Sequence, residues 1–203
     1  FSTRPALHTA ARHRIVGVVA CLGILGGAGL LSSPAHAEPD ADAFPGHTTV
    51  LTCEPLTMGM GGVVHIMDRS LQGFASAPGR REVAVPTTTD LSYAGLMRGR
   101  DILNSYITRT PGKKVVFGYS RGAQIASEWL RTYADKAGAP AASELSFVFI
   151  GNPQRRLGGK PHMKTAEGIE LLPTPDDTQY KVTDISKRWD GWSNADNWPV
   201  GPT

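Results

Sequence analysis

The sequence predicts an α/β fold: a three-layer sandwich with a mostly parallel central sheet and helices on both faces. Three observations carry this. Short apolar, β-branched runs recur at "TTVLTC" (48–53), "REVAVP" (81–86), "KKVVFG" (113–118), "LSFVFI" (145–150) and "QYKVTDI" (179–185). Helical patterns separate the middle ones, as a parallel sheet requires. A G-x-S-x-G pentapeptide, Gly118 to Gly122, stands where the third run gives way to a helical pattern.

The elements follow in chain order. Residues 1–37 read as a secretory signal peptide and not as fold. Arg4, Arg12 and Arg14 precede the apolar run "IVGVVACLGILGGAGLL", and Ala35-His36-Ala37 supplies a small-x-small cleavage site before Glu38. An uncleaved anchor is the alternative, for which this glycine-rich run is short. Residues 38–47 are expected to form a flexible mature N-terminus, and the folded α/β domain is expected over 48–203. After the first strand comes a glycine-rich loop, "EPLTMGMGG". Pro86 stops the second strand. Asp90 is expected to open a helix through about Ile107, with Leu96, Leu103 and Ile107 on one face. A second helix is expected over 120–137. Its apolar stripe is Ile125/Ala126, Trp129/Leu130 and Tyr133/Ala134, and Gly138 closes it.

Composition excludes several classes. Of the chain's 21 Lys+Arg and 18 Asp+Glu, three arginines and no acid lie in the leader. The remainder holds 18 of each sign, so the basic balance belongs to the leader. No basic stripe with interleaved aromatics is present, which argues against nucleic acid. Cys53 is the one cysteine after the leader, and no metal-ligand spacing occurs. No cofactor or metal is implied.

The chemistry centres on Ser120. A serine between a strand and a helix, with small residues two positions to either side, has the pattern of the α/β-hydrolase nucleophile elbow. "KKVVF" before and "GAQIASEWL" after supply that context. The Ser120 hydroxyl would be held clear of the sheet, and the backbone N–H of Arg121 would face a developing oxyanion. The orienting acid should follow a later strand, and "KVTDISKRWDGWSNADNWP" offers Asp184, Asp190 and Asp196. Asp190, just past the strand, is the favoured acid; Asp196 is the alternative, and Asp184 lies inside the strand. The base should be a histidine following the acid. None does: His47, His65 and His162 precede Asp190. The base is therefore expected beyond Thr203, the domain being incomplete at its C-terminus.

"VVFGYSRGAQIASEWL", "FIGNPQRRLGG" and "RWDGWSNADNWP" together resemble the PE-PPE domain, a cutinase-like serine α/β-hydrolase domain of mycobacteria and related actinobacteria. "TTTDLSYAGLMRGRDILNSYI" resembles the family's helix before the elbow strand. The likeness extends over roughly residues 48–199. It implies Ser120 as nucleophile, Asp190 as acid, and action on fatty acyl esters, with relatives working on cell-envelope glycolipids. The loop "CEPLTMGMGG" departs from the family's Gly-Thr-Gly-like turn, so the second oxyanion donor is unassigned, with Thr57 and Gly59 as guesses. Trp189, Trp192 and Trp198 line an acyl pocket or pack their loop onto the sheet. Arg155 and Arg156 contact a polar head group or remain solvated.

The expectation is a secreted or cell-envelope-associated serine esterase that forms an acyl-serine intermediate. Two alternatives share the site: an acyltransferase on cell-envelope glycolipids, and a non-catalytic envelope-binding module without the triad histidine.

Overall fold

The computed structural model describes residues 47–57, 66–159, 163–191 and 193–194. The expected signal peptide and nearly all of the expected flexible segment lie outside the described residues. So do Gly59, His65, His162, Trp192, Asp196 and Trp198.

Among the described residues five strands form one sheet: β1 (Thr48–Cys53), β2 (Arg80–Val85), β3 (Lys114–Tyr119), β4 (Leu145–Ile150) and β5 (Lys181–Ile185). Their order is β2-β1-β3-β4-β5 and every pairing is parallel. All five expected runs are strands, shifted by no more than two residues. The short helix α1 (Ile66–Arg69) joins β1 to β2, α2 (Tyr93–Arg109) joins β2 to β3, and α3 (Arg121–Tyr133) joins β3 to β4. This is a doubly wound parallel α/β arrangement.

The connections fix the layers. The chain runs from β1 outward to β2 on one side, then returns past β1 to β3, β4 and β5 on the other. With right-handed crossovers, reversing direction places α1 on the face opposite α2 and α3. The core divides accordingly. On the α2/α3 face, Leu51, Val116, Phe147 and Phe149 pack against Leu96, Leu103, Ile107, Ile125, Trp129 and Leu130. On the other face, Val50 and Phe117 meet Met67 and Ala75, and Phe74 sets its ring edge-on to Phe117 at 5.2 Å between centroids.

Helix α3 is buried from Arg121 through Leu130, on its polar positions as well as its apolar ones. Most buried polar groups find a partner, and several on this helix do. Ser127 and Thr174 share a hydroxyl–hydroxyl bond of 2.8 Å, and the Arg131 guanidinium lies 3.5 Å from the Glu128 carboxylate. Trp129 anchors the aromatic cluster with Phe147 and Tyr180, and donates its indole N–H to Asn104 on α2.

Two helix boundaries differ from the sequence reading. Helix α2 begins at Tyr93, three residues after Asp90. Ser92 is its N-cap and accepts from the Gly95 N–H at 2.9 Å. Asp90 braces that cap from outside the helix, accepting from the Ser92 N–H and pairing with Arg98. Helix α3 ends at Tyr133, and a turn leads on to Gly138, whose φ is +86°.

Candidate active site

In a doubly wound sheet the ligand crevice opens at the carboxyl ends of the strands where the strand order reverses. Here that point lies between β1 and β3. A cavity of about 590 Å³ occupies it. Pro55, Leu56 and Thr57 after β1, Ser120, Arg121 and Gln124 after β3, Gly151 and Pro153 after β4, and Asp190 after β5 all line it, with Leu91 and Met163 at its side.

Ser120 has φ +51° and ψ −108°, a conformation that L-residues avoid. Such a backbone is held only where its surroundings over-determine it. The two flanking glycines are those surroundings. A Cβ on Gly118 would lie 2.9 Å from the Cα and N of Ala123, and a Cβ on Gly122 would lie 1.9 Å from the carbonyl oxygen of Cys53. Small residues thus let strand β3, helix α3 and the end of β1 close on one another around the serine. The Ser120 side chain caps no N–H of α3. It stands at the helix N-terminus, where unpaired backbone N–H groups favour negative charge.

Asp190 reaches the same cavity from the loop after β5. Its Oδ2 accepts from the Ser193 hydroxyl at 2.8 Å, its Oδ1 from the Ser193 N–H at 3.3 Å, and its own carbonyl from the Asn194 N–H at 2.8 Å. Ser193 is fully buried, so the carboxylate is tied to a fixed point. Between nucleophile and acid lies Gly151, with φ +54°. A Cβ there would fall 2.8 Å from the Tyr119 ring and 3.6 Å from Asp190 Oδ2. Serine and favoured acid therefore line one cavity. Thr57, one of the two guesses for the second oxyanion donor, lines it as well.

Asp184 lies away from that cavity, in a buried polar network beneath β4 and β5. Asn152 donates from Nδ2 to Asp184 Oδ2 at 2.7 Å and to Thr174 Oγ1 at 2.9 Å, while its Oδ1 accepts from the Gln154 N–H. Burial pushes the Asp184 carboxyl above its ordinary range, against the opposing pull of Asn152 and Arg155. Gln154 extends the network to the Leu172 carbonyl at 2.6 Å.

This network corrects the reading of Arg155. Arg155 donates to the Ser193 carbonyl at 3.3 Å and its Nε lies 3.9 Å from Asp184, so it braces the acid loop. Arg156 pairs with Asp176 and turns away from the cavity. Neither lines the cavity; Arg156 is a solvated loop charge, as one of the two readings had it, whereas Arg155 is partly buried. The motif at 151–159 is thus a structural clamp between the β4 loop and the Asp190 loop. Gly159 is required because a Cβ would lie 2.1 Å from the Arg155 carbonyl. Trp189 takes neither expected role: it is 59% exposed and lies under the Arg188 guanidinium, 5.0 Å from its ring centroid.

Three features escaped the sequence reading. Leu91 and Met163 come from distant loops and carry no local pattern. The Arg121 side chain, 4% exposed, folds back under the cavity and donates to the Asp90 carbonyl at 2.6 Å. Gln124, also 4% exposed, lies one turn on and accepts from Arg121 at 3.4 Å. A polar residue within the most buried helix was the available signal for Gln124.

Among the described residues the histidine is His47, exposed at the amino end of β1 and so at the opposite end of the sheet from Ser120. Cys53 is buried and unpaired to another cysteine, and burial pushes its thiol up to about 12, which leaves it unreactive. No group of three or more His, Cys, Asp and Glu side chains among the described residues is placed to hold a metal ion.

Comparison with known proteins adds a family. The PE-PPE domain model matches residues 76–201, beginning later than the motif-based likeness, which started at 48. Over 93 residues the chain is 33% identical to Esterase PE16 of Mycobacterium tuberculosis. That alignment takes 42% of this chain and 18% of the relative, so the chain spans a small part of the relative's length. A solved acetyl xylan esterase superposes at a TM-score of 0.39 with 15% identity, over 71% of this chain and 83% of that one.

Proposed function

The chain belongs to the PE-PPE domain family, and from that premise we propose that it is a serine carboxylic-ester hydrolase acting on fatty acyl esters. The observation that carries the proposal is the strained backbone of Ser120, poised between β3 and α3 in a cavity that also receives Asp190. A backbone cost of about 1–3 kcal/mol persists where function repays it.

In this scheme the Ser120 hydroxyl attacks the ester carbonyl carbon. A histidine takes the serine proton and then passes it to the leaving alkoxide, giving an acyl-serine. Asp190 holds that histidine's tautomer and stabilises its charge. The backbone N–H of Arg121, at the N-terminus of α3, faces the oxyanion of each tetrahedral intermediate. Water, activated by the same histidine, then releases the carboxylic acid. No described residue supplies the base. The apolar wall of Leu56, Ile66, Leu91, Pro153 and Met163 suits an acyl chain. With a sugar hydroxyl in place of water, the same steps make an acyltransferase. The leader at 1–37 supports secretion or residence at the cell envelope.

Intact mass after treatment with an alkyl fluorophosphonate, on protein running from Glu38 to the natural stop codon so that the expected histidine is included, beside a Ser120→Ala control, tests the reading. One adduct, absent from the control, is expected: the serine oxygen–phosphorus bond forms as fluoride leaves. No adduct on folded protein would overturn the esterase reading and leave a binding module.

A further inference from the structure

Beside the cavity lie donors that no described residue accepts from. Arg121 Nε and Gln124 Nε2 are both buried and make no hydrogen bond, and both residues line the cavity beside Ser120. Buried donors are nearly always paired, and leaving one unpaired costs about 1–3 kcal/mol. The orientation of the Gln124 amide is not arbitrary. Its Oε1 accepts from Arg121 Nη1, and turning the amide over would set two donors against each other. The free NH2 is therefore fixed by the arginine.

The charge is unbalanced as well. The acceptors of the Arg121 guanidinium are a backbone carbonyl and an amide oxygen, both neutral. The Asp90 carboxylate, which might have answered it, is turned to Ser92 and Arg98, while only its carbonyl meets Arg121. Burial disfavours the charged guanidinium and the Asp90 carboxylate offsets this only in part, so an entering anion would recover the rest through charge-assisted bonds.

We propose that Arg121 and Gln124 form an anion-recognition subsite next to the nucleophile, selecting substrates that carry a carboxylate or phosphate close to the scissile ester. The inference rests on the esterase reading for the word substrate, and on the cavity alone for anion binding. The acyl chain lies along the apolar wall, and the anionic oxygens accept from Arg121 Nε and Gln124 Nε2.

Equilibrium binding tests this apart from catalysis. Octanoate, octyl phosphate and octanol are titrated into the full chain by calorimetry, in a buffer free of phosphate and carboxylate. At least one anion should bind tenfold or more tightly than octanol, and the tighter of the two identifies the group. In Gln124→Leu and in Arg121→Met, each checked for an unchanged circular-dichroism spectrum, the ratio of the octanol Kd to the anion Kd should fall toward one. A wild-type ratio within twofold of one, or no binding of either class, overturns the subsite. A ratio preserved in both folded variants overturns the assignment to these residues. Fluorophosphonate labelling decides the esterase reading separately: a retained anion preference without labelling keeps the subsite and removes the hydrolase.

Discussion

Gly122 and Cys53 touch through backbone. The position a Cβ would take on Gly122 lies 1.9 Å from the Cys53 carbonyl oxygen and 2.8 Å from its Cβ. The first turn of α3 is thereby seated against the carboxyl end of β1, and Ser120 is held where the two meet. Gly122→Ala should force helix and strand apart. A loss of about 3 kcal/mol is expected, read from urea unfolding, together with slower fluorophosphonate labelling of whatever remains folded. An unchanged midpoint would show that the elbow tolerates separation.

The strain at Ser120 makes a prediction of opposite sign. Glycine adopts φ +51° freely, so Ser120→Gly should abolish labelling while raising stability by about 1 kcal/mol, after the entropy that glycine adds to the unfolded chain. Ser120→Ala abolishes labelling without that gain, because alanine keeps the strain. Equal unfolding midpoints for the two variants would argue against a stored cost at this turn.

Asn152 joins two segments from far along the chain, Asp184 on β5 and Thr174 in the preceding loop, to its own turn at the Gln154 N–H. Asn152→Ala removes a partner from Asp184, Thr174 and the Gln154 N–H, of which Thr174 keeps Ser127. A loss of about 3 kcal/mol follows from unmet buried hydrogen bonds, measured by chemical denaturation. Labelling should also slow, because Arg155 carries the same clamp to the Ser193 carbonyl and so to the loop that holds Asp190.

Asp184 predicts a pH dependence. Burial raises its pKa above the ordinary 3.8, so the folded state binds this proton more tightly than the unfolded state does. Its contribution is most favourable below 3.8 and declines as pH rises through the folded value. In Asp184→Asn that titration is gone. The stability of the wild type minus that of the variant should therefore fall as pH climbs from about 4 to 7, by urea midpoints at each pH. A difference that is flat or rises would contradict a raised carboxyl.

Much of this molecule was legible in one dimension. Hydrophobic periodicity located all five strands and the buried stripes of both long helices, because burial against a sheet leaves its period in the chain. The elbow was legible for the same reason: strand, small residues, serine, small residue and helix are contiguous. The family followed from the motifs around it. Tertiary structure alone decided the rest, since each remaining feature depends on which distant group arrives opposite. The tyrosine and aspartate that crowd Gly151 come from two different strands' ends. Asp90 reads as a helix opener but serves as an outer brace. Arg155 reads as a surface charge, yet the return of β5 beside β4 gives it Asp184 and the Ser193 carbonyl. The motif suggested a backbone role for Arg121; its side chain acquired a direction only when the loop before α2 placed the Asp90 carbonyl against it.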